Sequence, residues 1–306
     1  MCFVAYSFGE TKASKKITSY RKTGIPTWGL IELTNTCNFS CAWCYAGCQN
    51  KSRTPKIMSR DMAFEIADRL IGWGIKQITL SGGEPTIVPY LLDLIKHSSS
   101  NGVITNIISN TYLIDEDFAR RLRESGLYQI ETNLDSIRPD IHDEVRGVAG
   151  AHAQAMNAIK ILSSTGIKVV AQMVVTKDNQ DEVSSVFKLA RELGASRFRV
   201  SNPIGYPELA PDDFYGFLDQ LTEEMIAEGA TEIQSYDPKW SFETTDSVTG
   251  HHLPCCAASG AGIPIDVDGN VMFCQIRDRT PLYSLLDKNS SRYHLEAIKD
   301  INLVCE

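Results

Sequence analysis

The sequence predicts an α/β fold, a partial (β/α)6 barrel of parallel strands followed by a small C-terminal domain. Apolar, β-rich runs alternate with amphipathic helical patterns from Trp28 to about Glu228. Strand–helix–strand units make right-handed crossovers, so six in succession form part of a barrel. The regular alternation stops near residue 230, where proline and glycine become frequent. A flat, doubly wound sheet is the alternative that periodicity leaves open.

Each predicted element follows from its local pattern. The predicted strands are Trp28–Leu33, Gln77–Leu80, Val103–Ile108, Tyr128–Leu134, Ile167–Val175 and Arg197–Ser201. The predicted helices are Ser59–Ile71, Tyr90–Ser99, Asp115–Glu124, Ala151–Leu162, Asp181–Leu193 and Pro211–Ala227. Glycines such as Gly102 and Gly126 stand between a helix and the next strand, as a C-terminal cap does.

Composition and charge exclude several classes of protein. The chain has 306 residues, 43% of them hydrophobic and 22% charged, which is typical of a globular protein. Its net charge of −8 argues against a nucleic-acid surface. No apolar run approaches the roughly 20 residues of a membrane span, and the N-terminus lacks the pattern of a signal peptide. We therefore expect a cytoplasmic protein without a membrane partner, in which the nine cysteines include metal ligands.

Three cysteines form a C-x3-C-x2-C group directly after the first predicted strand. Cys37, Cys41 and Cys44 follow that strand at the end where parallel barrels place their active sites. Three thiolates can ligate three irons of a cubane cluster and leave the fourth iron open for a ligand. Zinc is the alternative, with Cys48 as a fourth ligand, because structural zinc takes four ligands.

The loop resembles the C-x3-C-x-aromatic-C signature of the radical S-adenosylmethionine superfamily, with Trp43 as the aromatic residue. The resemblance implies a [4Fe–4S] cluster whose open iron binds S-adenosylmethionine. It also implies reductive cleavage of that cofactor to a 5′-deoxyadenosyl radical, which abstracts a hydrogen atom from the substrate. The electron would come from a low-potential donor such as flavodoxin or ferredoxin. Trp43 and Tyr45 are predicted to contact the cofactor.

Further segments resemble the same family in the same order. Gly82, Gly83 and Glu84 match its GGE motif: the glycines allow close backbone approach, and the carboxylate is a predicted acceptor for the methionyl ammonium group. Ser109 and Asn110 resemble its ribose-contacting segment.

Two more predicted cofactor contacts follow the fourth strand. Asn133 stands where relatives often have serine, so this contact departs from the family pattern. Arg146 belongs to a His-Asp-x-x-Arg-Gly segment common in the superfamily. It is predicted to bind the cofactor carboxylate or, alternatively, to form a structural ion pair.

A second cysteine group lies in the C-terminal region. Cys256, twelve residues, Gly269, four residues and Cys274 resemble the auxiliary-cluster region of SPASM or shortened "twitch" domains. Residues 263–271 predict a hairpin with an Asp-Gly-Asn turn, and Cys305 is a predicted third ligand of an auxiliary [4Fe–4S] cluster. Cys255 is a predicted catalytic hydrogen-atom donor, with a ligand or a plain buried thiol as alternatives. The predicted domains are an arm (1–26), the radical barrel (27–233) and the iron–sulfur domain (234–306).

The expected reaction is epimerisation or dehydrogenation of a small or medium-sized, sugar- or aminocyclitol-like substrate. Only about twenty-six residues precede the first predicted strand, too few for a separate peptide-recognition domain. An enzyme that modifies a peptide or protein is the main alternative. An iron–sulfur or zinc protein without catalytic activity is the other, although an electron carrier would need no adenosyl pocket.

Overall fold

A computed structural model gives the architecture of most of the chain. It describes residues 3–7, 28–50, 52–201, 203, 206–213, 217, 220–221, 223–224, 232–235, 262–272 and 281–290. The predicted auxiliary-cluster ligands Cys256, Cys274 and Cys305 lie outside these residues. The predicted hydrogen-atom donor Cys255 and most of the predicted helix Pro211–Ala227 do as well.

Six parallel strands form the centre of the sheet, which confirms the predicted fold class. They are β2 (Trp28–Thr34), β3 (Gln77–Gly82), β4 (Ile104–Ile108), β5 (Gln129–Asn133), β6 (Lys168–Val174) and β7 (Arg197–Ser201). They pair in chain order, each parallel to the next. A doubly wound sheet reverses its strand order at a switch point, so this uninterrupted order excludes that alternative.

Helices connect the parallel strands. They are α1 (Arg60–Gly72), α2 (Leu91–Ser100), α3 (Glu116–Glu124), α4 (Pro139–Arg146), α5 (Ala151–Ser164) and α6 (Val183–Glu192). Ser59 caps α1 by accepting a hydrogen bond from the Met62 N–H, and Asp115 caps α3 in the same way. The sequence did not predict α4, whose residues PDIHDEVR are mostly polar and lack an apolar stripe.

Additional strands extend the sheet at both sides. β1 (Phe3–Ser7) pairs antiparallel with β7, and β8 (Glu232–Ser235) pairs antiparallel with β1. Part of the predicted N-terminal arm is therefore a strand of the sheet. On the other side β9 (Gly262–Ile265) runs parallel to β2, followed by β10 (Asn270–Met272) and β11 (Pro281–Ser284), both antiparallel to their neighbours.

The main apolar core lies between the sheet and the helices. Alternate strand residues such as Ile31 and Phe198 are fully buried, and the Phe198 ring meets the Phe187 ring of α6 edge to face at 5.8 Å. Burying each such side chain stabilises the fold by about 1.5–3 kcal/mol. The core therefore fixes the strands whose carboxyl ends carry the predicted site.

The predicted hairpin is present and joins the barrel. In the turn between β9 and β10, Asp266 Oδ1 accepts hydrogen bonds from the backbone N–H groups of Asp268 and Asn270, both at 2.9 Å. Gly262 lies against the Trp28 ring, where a Cβ atom would collide with the indole. The C-terminal strands thus continue the sheet of the barrel.

Candidate functional site

The three cysteines of the first group lie on a loop at the carboxyl end of β2, each half-buried. The segment after β3 holds the beginning of this loop. The Gly83 N–H donates to the Thr34 carbonyl at 2.6 Å, and the Glu84 N–H donates to the Thr36 carbonyl at 2.9 Å. The GGE segment and the loop are therefore bonded directly through their backbones.

The two glycines permit this contact. A Cβ atom on Gly82 would collide with the Thr34 carbonyl oxygen, and one on Gly83 would collide with that of Thr36. Gly82 also has φ of 129°, which favours glycine. The close approach predicted for this motif is thus made to the cysteine loop, and contact of either glycine with the cofactor stays a prediction.

Helix α4 holds the middle of the loop. The backbone N–H of Ser40 donates to the Arg146 carbonyl at 3.3 Å, and that of Ala42 donates to the Val145 carbonyl at 2.9 Å. Gly147 ends α4 with φ of 67° and lies so close to Ser40 that a Cβ atom would collide with it. The unpredicted helix therefore fixes the loop around Cys41.

Two of the three thiols receive hydrogen bonds from side chains of other elements. Cys37 Sγ accepts from the Phe39 N–H at 3.4 Å and from Asn110 Nδ2 at 3.7 Å. Cys41 Sγ accepts from Arg146 Nη1 at 3.6 Å. Burial raises the pKa of Cys37 to about 11, and the Glu84 carboxylate contributes to this shift.

The third thiol has the opposite electrostatic environment. The Cys48 thiol donates to Cys44, and the N–H groups of Cys48, Ala46 and Gly47 add to this, so that the pKa of Cys44 falls to about 6 despite burial. The same contact, together with burial, raises the pKa of Cys48. Cys44 is therefore the thiol best prepared to bind metal as a thiolate at neutral pH.

Glu84 is buried beneath the loop and links two strand ends. Its Oε1 accepts from the Thr86 N–H at 3.0 Å, from the Thr86 hydroxyl at 2.6 Å and from the Ser109 hydroxyl at 2.7 Å. Its Oε2 accepts from the Asn110 N–H at 2.7 Å. Burial raises the pKa of Glu84 above its ordinary value. Among these bonds Oε2 has only one donor, so it has room for the predicted ammonium group.

The predicted ribose-contacting pair lies next to Glu84. Besides donating to Glu84, the Ser109 hydroxyl accepts from the Thr111 N–H at 2.9 Å. The Asn110 amide bonds Asn38 Oδ1 at 2.7 Å as well as Cys37. In this structure the Ser109 side chain bonds Glu84, the Asn110 side chain bonds two side chains of the loop, and contact of either with a ribose stays a prediction.

Arg146 forms the ion pair that was one of its two predicted roles. Its Nε donates to Asp135 Oδ2 at 2.6 Å, and its Nη2 contacts the same oxygen. Asp135 is fully buried, and its Oδ1 accepts from the Val174 N–H at 2.9 Å. Asn133 is half-buried at the end of β5, opposite Gln172 of β6. Binding of the cofactor by either Arg146 or Asn133 stays a prediction.

The loop fits the iron–sulfur cluster in its donor set and its surroundings. Three half-buried thiols with hydrogen-bond donors at their sulfurs suit thiolate ligation. Trp43 is buried, and its Nε1 has no partner among the described residues, so a donor remains available within the loop. The Tyr45 hydroxyl lies 3.5 Å from the Ser81 hydroxyl.

Sequence reasoning missed charged groups inside the barrel. Arg199 of β7 pairs with Glu131 of β5, across the intervening β6. The residue before each of them belongs to the apolar core shared with the helices, so both side chains lie on the opposite face of the sheet. Glu32 of β2 and Asn106 of β4 are also buried. The available signal was the alternation of charged or polar residues with apolar ones inside these strands.

A second missed feature is the backbone at Thr111. Its φ of 60° lies in the left-handed region, which is uncommon for a β-branched residue. The Thr111 hydroxyl lies 3.0 Å from the Thr132 hydroxyl and donates to the Asn110 carbonyl at 2.7 Å. These contacts hold the turn that directs Asn110 to the loop, and no sequence pattern marked it.

Comparison with known proteins identifies the family. The model of the Radical SAM superfamily matches residues 31–190, more than half of the chain. The chain belongs to this superfamily, whose cofactors are a [4Fe–4S] cluster and S-adenosylmethionine.

The chain resembles several curated proteins. It is 29% identical to the sporulation killing factor maturation protein SkfB of Bacillus subtilis, covering 86% of this chain and 63% of SkfB. It is 25% identical to the PqqA peptide cyclase of Gluconobacter oxydans, over 82% of this chain and 71% of that protein. An AdoMet-dependent heme synthase of Oleidesulfovibrio alaskensis is 31% identical, over 58% of this chain and 46% of its own. The chain thus spans about half to two thirds of most of these relatives.

Solved structures share the fold. Streptococcus suis SuiB bound to the precursor peptide SuiA superposes with a TM-score of 0.70 at 17% identity, covering 96% of this chain and 73% of SuiB. Native anSMEcpe with bound AdoMet and the Cp18Cys peptide gives a TM-score of 0.69 at 18% identity, covering 89% and 80%. At these identities the likeness concerns the fold.

None of the helices in the described part of the chain has both the length and the apolar character of a membrane span.

Proposed function

We propose that this chain is a radical S-adenosylmethionine enzyme that modifies a peptide or protein, with Cys37, Cys41 and Cys44 as the ligands of its radical-generating cluster. The observation that carries the proposal is the cysteine loop itself. It lies at the carboxyl end of β2, is bonded to the GGE segment on one side and to α4 on the other, and presents three half-buried thiols. When bound, the cluster and S-adenosylmethionine supply a 5′-deoxyadenosyl radical.

The relatives support a peptide substrate over the sugar-like substrate expected from sequence. SkfB is named as the maturation protein of a killing factor, and the PqqA peptide cyclase is named for its action on a peptide. Their similarity covers more than four fifths of this chain. The heme synthase similarity covers a smaller share of it, 58%. The expected epimerase activity has no support among these relatives.

The interior of the barrel suits a polar substrate. The Arg199–Glu131 ion pair, Asn106 and Glu32 line the face of the sheet that the helices do not cover. The Asn106 Oδ1 atom is buried and has no hydrogen-bond partner among the described residues, so it can accept one from a backbone or side-chain N–H group. Such groups bind amides and charged side chains.

The auxiliary cluster and the hydrogen-atom donor belong to the same proposal. β9 and β10 form the hairpin expected between Cys256 and Cys274, and β10 ends two residues before Cys274. We assign Cys256, Cys274 and Cys305 as ligands of an auxiliary [4Fe–4S] cluster and Cys255 as a donor to a substrate radical. The proposed electron source is a flavodoxin or ferredoxin.

Iron and acid-labile sulfide in anaerobically reconstituted protein test the cluster assignment. We expect about two cubanes in the wild type and about one in the Cys37/Cys41/Cys44→Ala variant, which should form no 5′-deoxyadenosine with dithionite. A variant without any iron would remove the auxiliary cluster from the proposal. Zinc without iron in the wild type would contradict all of it.

Anaerobic co-expression with small peptides encoded beside the gene for this chain tests the substrate class. We expect mass spectrometry to show a modified peptide, such as one that has lost two hydrogen atoms, with the wild type and none with the triple variant. The small-molecule alternative would be supported instead if hexoses or aminocyclitols were modified together with formation of 5′-deoxyadenosine and no peptide was modified.

A further inference from the structure

Two side chains from different elements donate hydrogen bonds to two different cysteines of the loop. Arg146 Nη1, on α4, is 3.6 Å from Cys41 Sγ. Asn110 Nδ2, in the segment after β4, is 3.7 Å from Cys37 Sγ. Neither contact helps to close the loop backbone, which has its own bonds to the GGE segment and α4. These donors are therefore free to act on the sulfurs.

The orientation of Arg146 is fixed by its partner. Asp135 engages Nε and Nη2, which leaves the Nη1 edge of the guanidinium directed at Cys41. Arg146 is 8% exposed and Asp135 is 0% exposed. A buried guanidinium is costly to desolvate, and its planar fork allows it to pair with a carboxylate and still donate elsewhere.

The orientation of Asn110 is fixed equally well. Its backbone N–H is held by Glu84 Oε2 at 2.7 Å, and its Oδ1 accepts from the Tyr112 N–H at 3.0 Å. With Oδ1 engaged in this way, Nδ2 faces Asn38 and Cys37. The left-handed Thr111 makes the turn that permits this arrangement.

Donors at cluster sulfurs change the reduction potential of a cluster. Reduction adds negative charge, part of which resides on the thiolates, so hydrogen bonds and nearby positive charge stabilise the reduced form and raise the potential. A charged donor has the larger effect. Cys41 faces a guanidinium, whereas Cys37 faces a neutral amide and the nearby Glu84 carboxylate.

We propose that Arg146 and Asn110 are positioning residues that raise the reduction potential of the cluster held by Cys37, Cys41 and Cys44, and that Arg146 has the larger effect. The inference rests on the proposed ligand set. It assigns to the Asp135–Arg146 pair a role in the electron transfer that starts the reaction, through the sulfur of Cys41.

The test is an anaerobic redox titration monitored by electron paramagnetic resonance. In the wild type, the signal that changes when S-adenosylmethionine is added identifies the radical-generating cluster. The signal that is lost in the Cys37/Cys41/Cys44→Ala variant identifies the same cluster without the cofactor. The Arg146→Gln/Asp135→Asn double variant removes both charges together, so that no buried carboxylate is left unpaired. Asn110→Ala removes the neutral donor. Arg53→Met is the matched control, because Arg53 Nη1 bonds the Ala46 carbonyl of the same loop at 2.6 Å without contacting a sulfur.

We expect the double variant to bind iron. The equilibrium constant for reduction of its cluster should fall about tenfold, which lowers the reduction potential by about 59 mV for a one-electron step. In Asn110→Ala the same equilibrium constant should fall about threefold. In Arg53→Met the reduction potential should equal that of the wild type. Full iron content with unchanged potentials in both test variants would overturn the inference.

Two further outcomes are separable from that one. If the double variant binds no iron, Arg146→Lys is measured in its place, because lysine keeps the charge and lacks the planar fork of donors. A lowered reduction potential in this variant supports the inference, and an unchanged potential opposes it. If the wild type shows no cluster signal that responds to S-adenosylmethionine, the proposed ligand set fails.

Discussion

At the scale of single residues, Glu84 connects more of the site than any ligand does. Its carboxylate accepts from Thr86, Ser109 and Asn110, which belong to the segments after β3 and β4. The carboxylate is almost completely buried, so each of these donors depends on it for a partner. The strand ends around the cysteine loop therefore depend on one side chain.

Replacing Glu84 by glutamine tests this dependence. The amide nitrogen of glutamine would face N–H or O–H donors and leave one of them unsatisfied, so we expect a loss of about 1–3 kcal/mol in the free energy of unfolding. Anaerobic urea denaturation measures this loss. Glu65→Gln is the control, because Glu65 is exposed on α1, and it should change stability by less than about 0.5 kcal/mol. Equal stability of both variants would contradict the role of Glu84.

A second residue-scale prediction concerns His142 of α4. Burial lowers its pKa from 6.5 to about 4, and its Nδ1 accepts from the Asp135 N–H at 3.1 Å, as a neutral ring does. The unfolded chain therefore binds a proton at higher pH than the folded chain, and this contribution to stability is present above pH 6.5 and lost as pH falls toward 4. We expect a loss of about 2 kcal/mol between pH 8 and pH 5.

Denaturation at several pH values checks the His142 prediction. His142→Gln keeps an acceptor and removes the titration, so its stability should fall less over this range. His97→Gln is the matched control, since His97 is partly exposed beside Asp68 on the surface. The prediction fails if the pH dependence of His142→Gln equals that of the wild type.

The residues of the candidate site were only partly predictable from sequence. Cys37, Cys41 and Cys44 and the GGE segment were recognisable because their spacing is local and carries the chemistry. The Asp135–Arg146 contact was not resolved, because a carboxylate eleven positions away is one of many possible partners for an arginine. Which donor meets which sulfur depends on tertiary packing, and no local pattern encodes it.

At the scale of elements, the cysteine loop depends on the turn after β3. Gly83→Ala should force the Thr36 carbonyl away and displace the loop, at a cost of about 1–3 kcal/mol. Iron content after anaerobic reconstitution should fall with it. Gly72→Ala is the control, since nothing lies near its Cβ position at the end of α1, and it should stabilise the helix by up to about 1 kcal/mol. Full iron loading in Gly83→Ala would contradict this account.

Elements with an apolar period were predictable, and α4 was not. The β-rich runs predicted the six central parallel strands, with bounds that differ by a few residues at most. Helix α4 buries His142 and Arg146 instead of an apolar face, so its polar contacts to Asp135 hold it in place. Hydrophobic periodicity cannot detect a helix of this kind.

At the scale of the whole molecule, the C-terminal strands and the barrel share one sheet. Arg69 of α1 donates through Nη1 to the carbonyls of Leu285 at 2.9 Å and Asp287 at 2.7 Å, and Lys56 pairs with Asp268. These bonds join helix and loop residues of the barrel to the segments around β10 and β11. We therefore expect the two parts to unfold together.

Arg69→Met tests this coupling. The two carbonyls lose a charged donor, so we expect a loss of about 1–3 kcal/mol and faster proteolysis of residues 281–290 in the native protein. Arg60→Met on the same helix is the control, because its pair with Asp93 is exposed and 3.6 Å long. Proteolysis of this segment at the same rate in both variants would show that Arg69 does not hold it.

The sequence indicated the barrel but not how far its sheet extends. Strand order followed from six successive βα units, because right-handed crossovers leave few arrangements. The pairing of β9 with β2, and of β1 with β7, joins segments that lie about 190 to 235 residues apart in the sequence. Such pairings depend on which edges the barrel leaves open, and the local sequence of a strand does not specify its partner.

The cysteine loop is held by backbone hydrogen bonds to the GGE segment and to α4. Its shape therefore belongs to the folded polypeptide, unlike that of a zinc finger, whose fold depends on its ion. A cubane with an open iron is readily destroyed by oxygen, yet the protein around it should survive the loss. Such a protein can be repaired by inserting a new cluster and need not be degraded and synthesised again. A brief exposure to air would then cost the cell iron and sulfide, while the polypeptide chain could be used again.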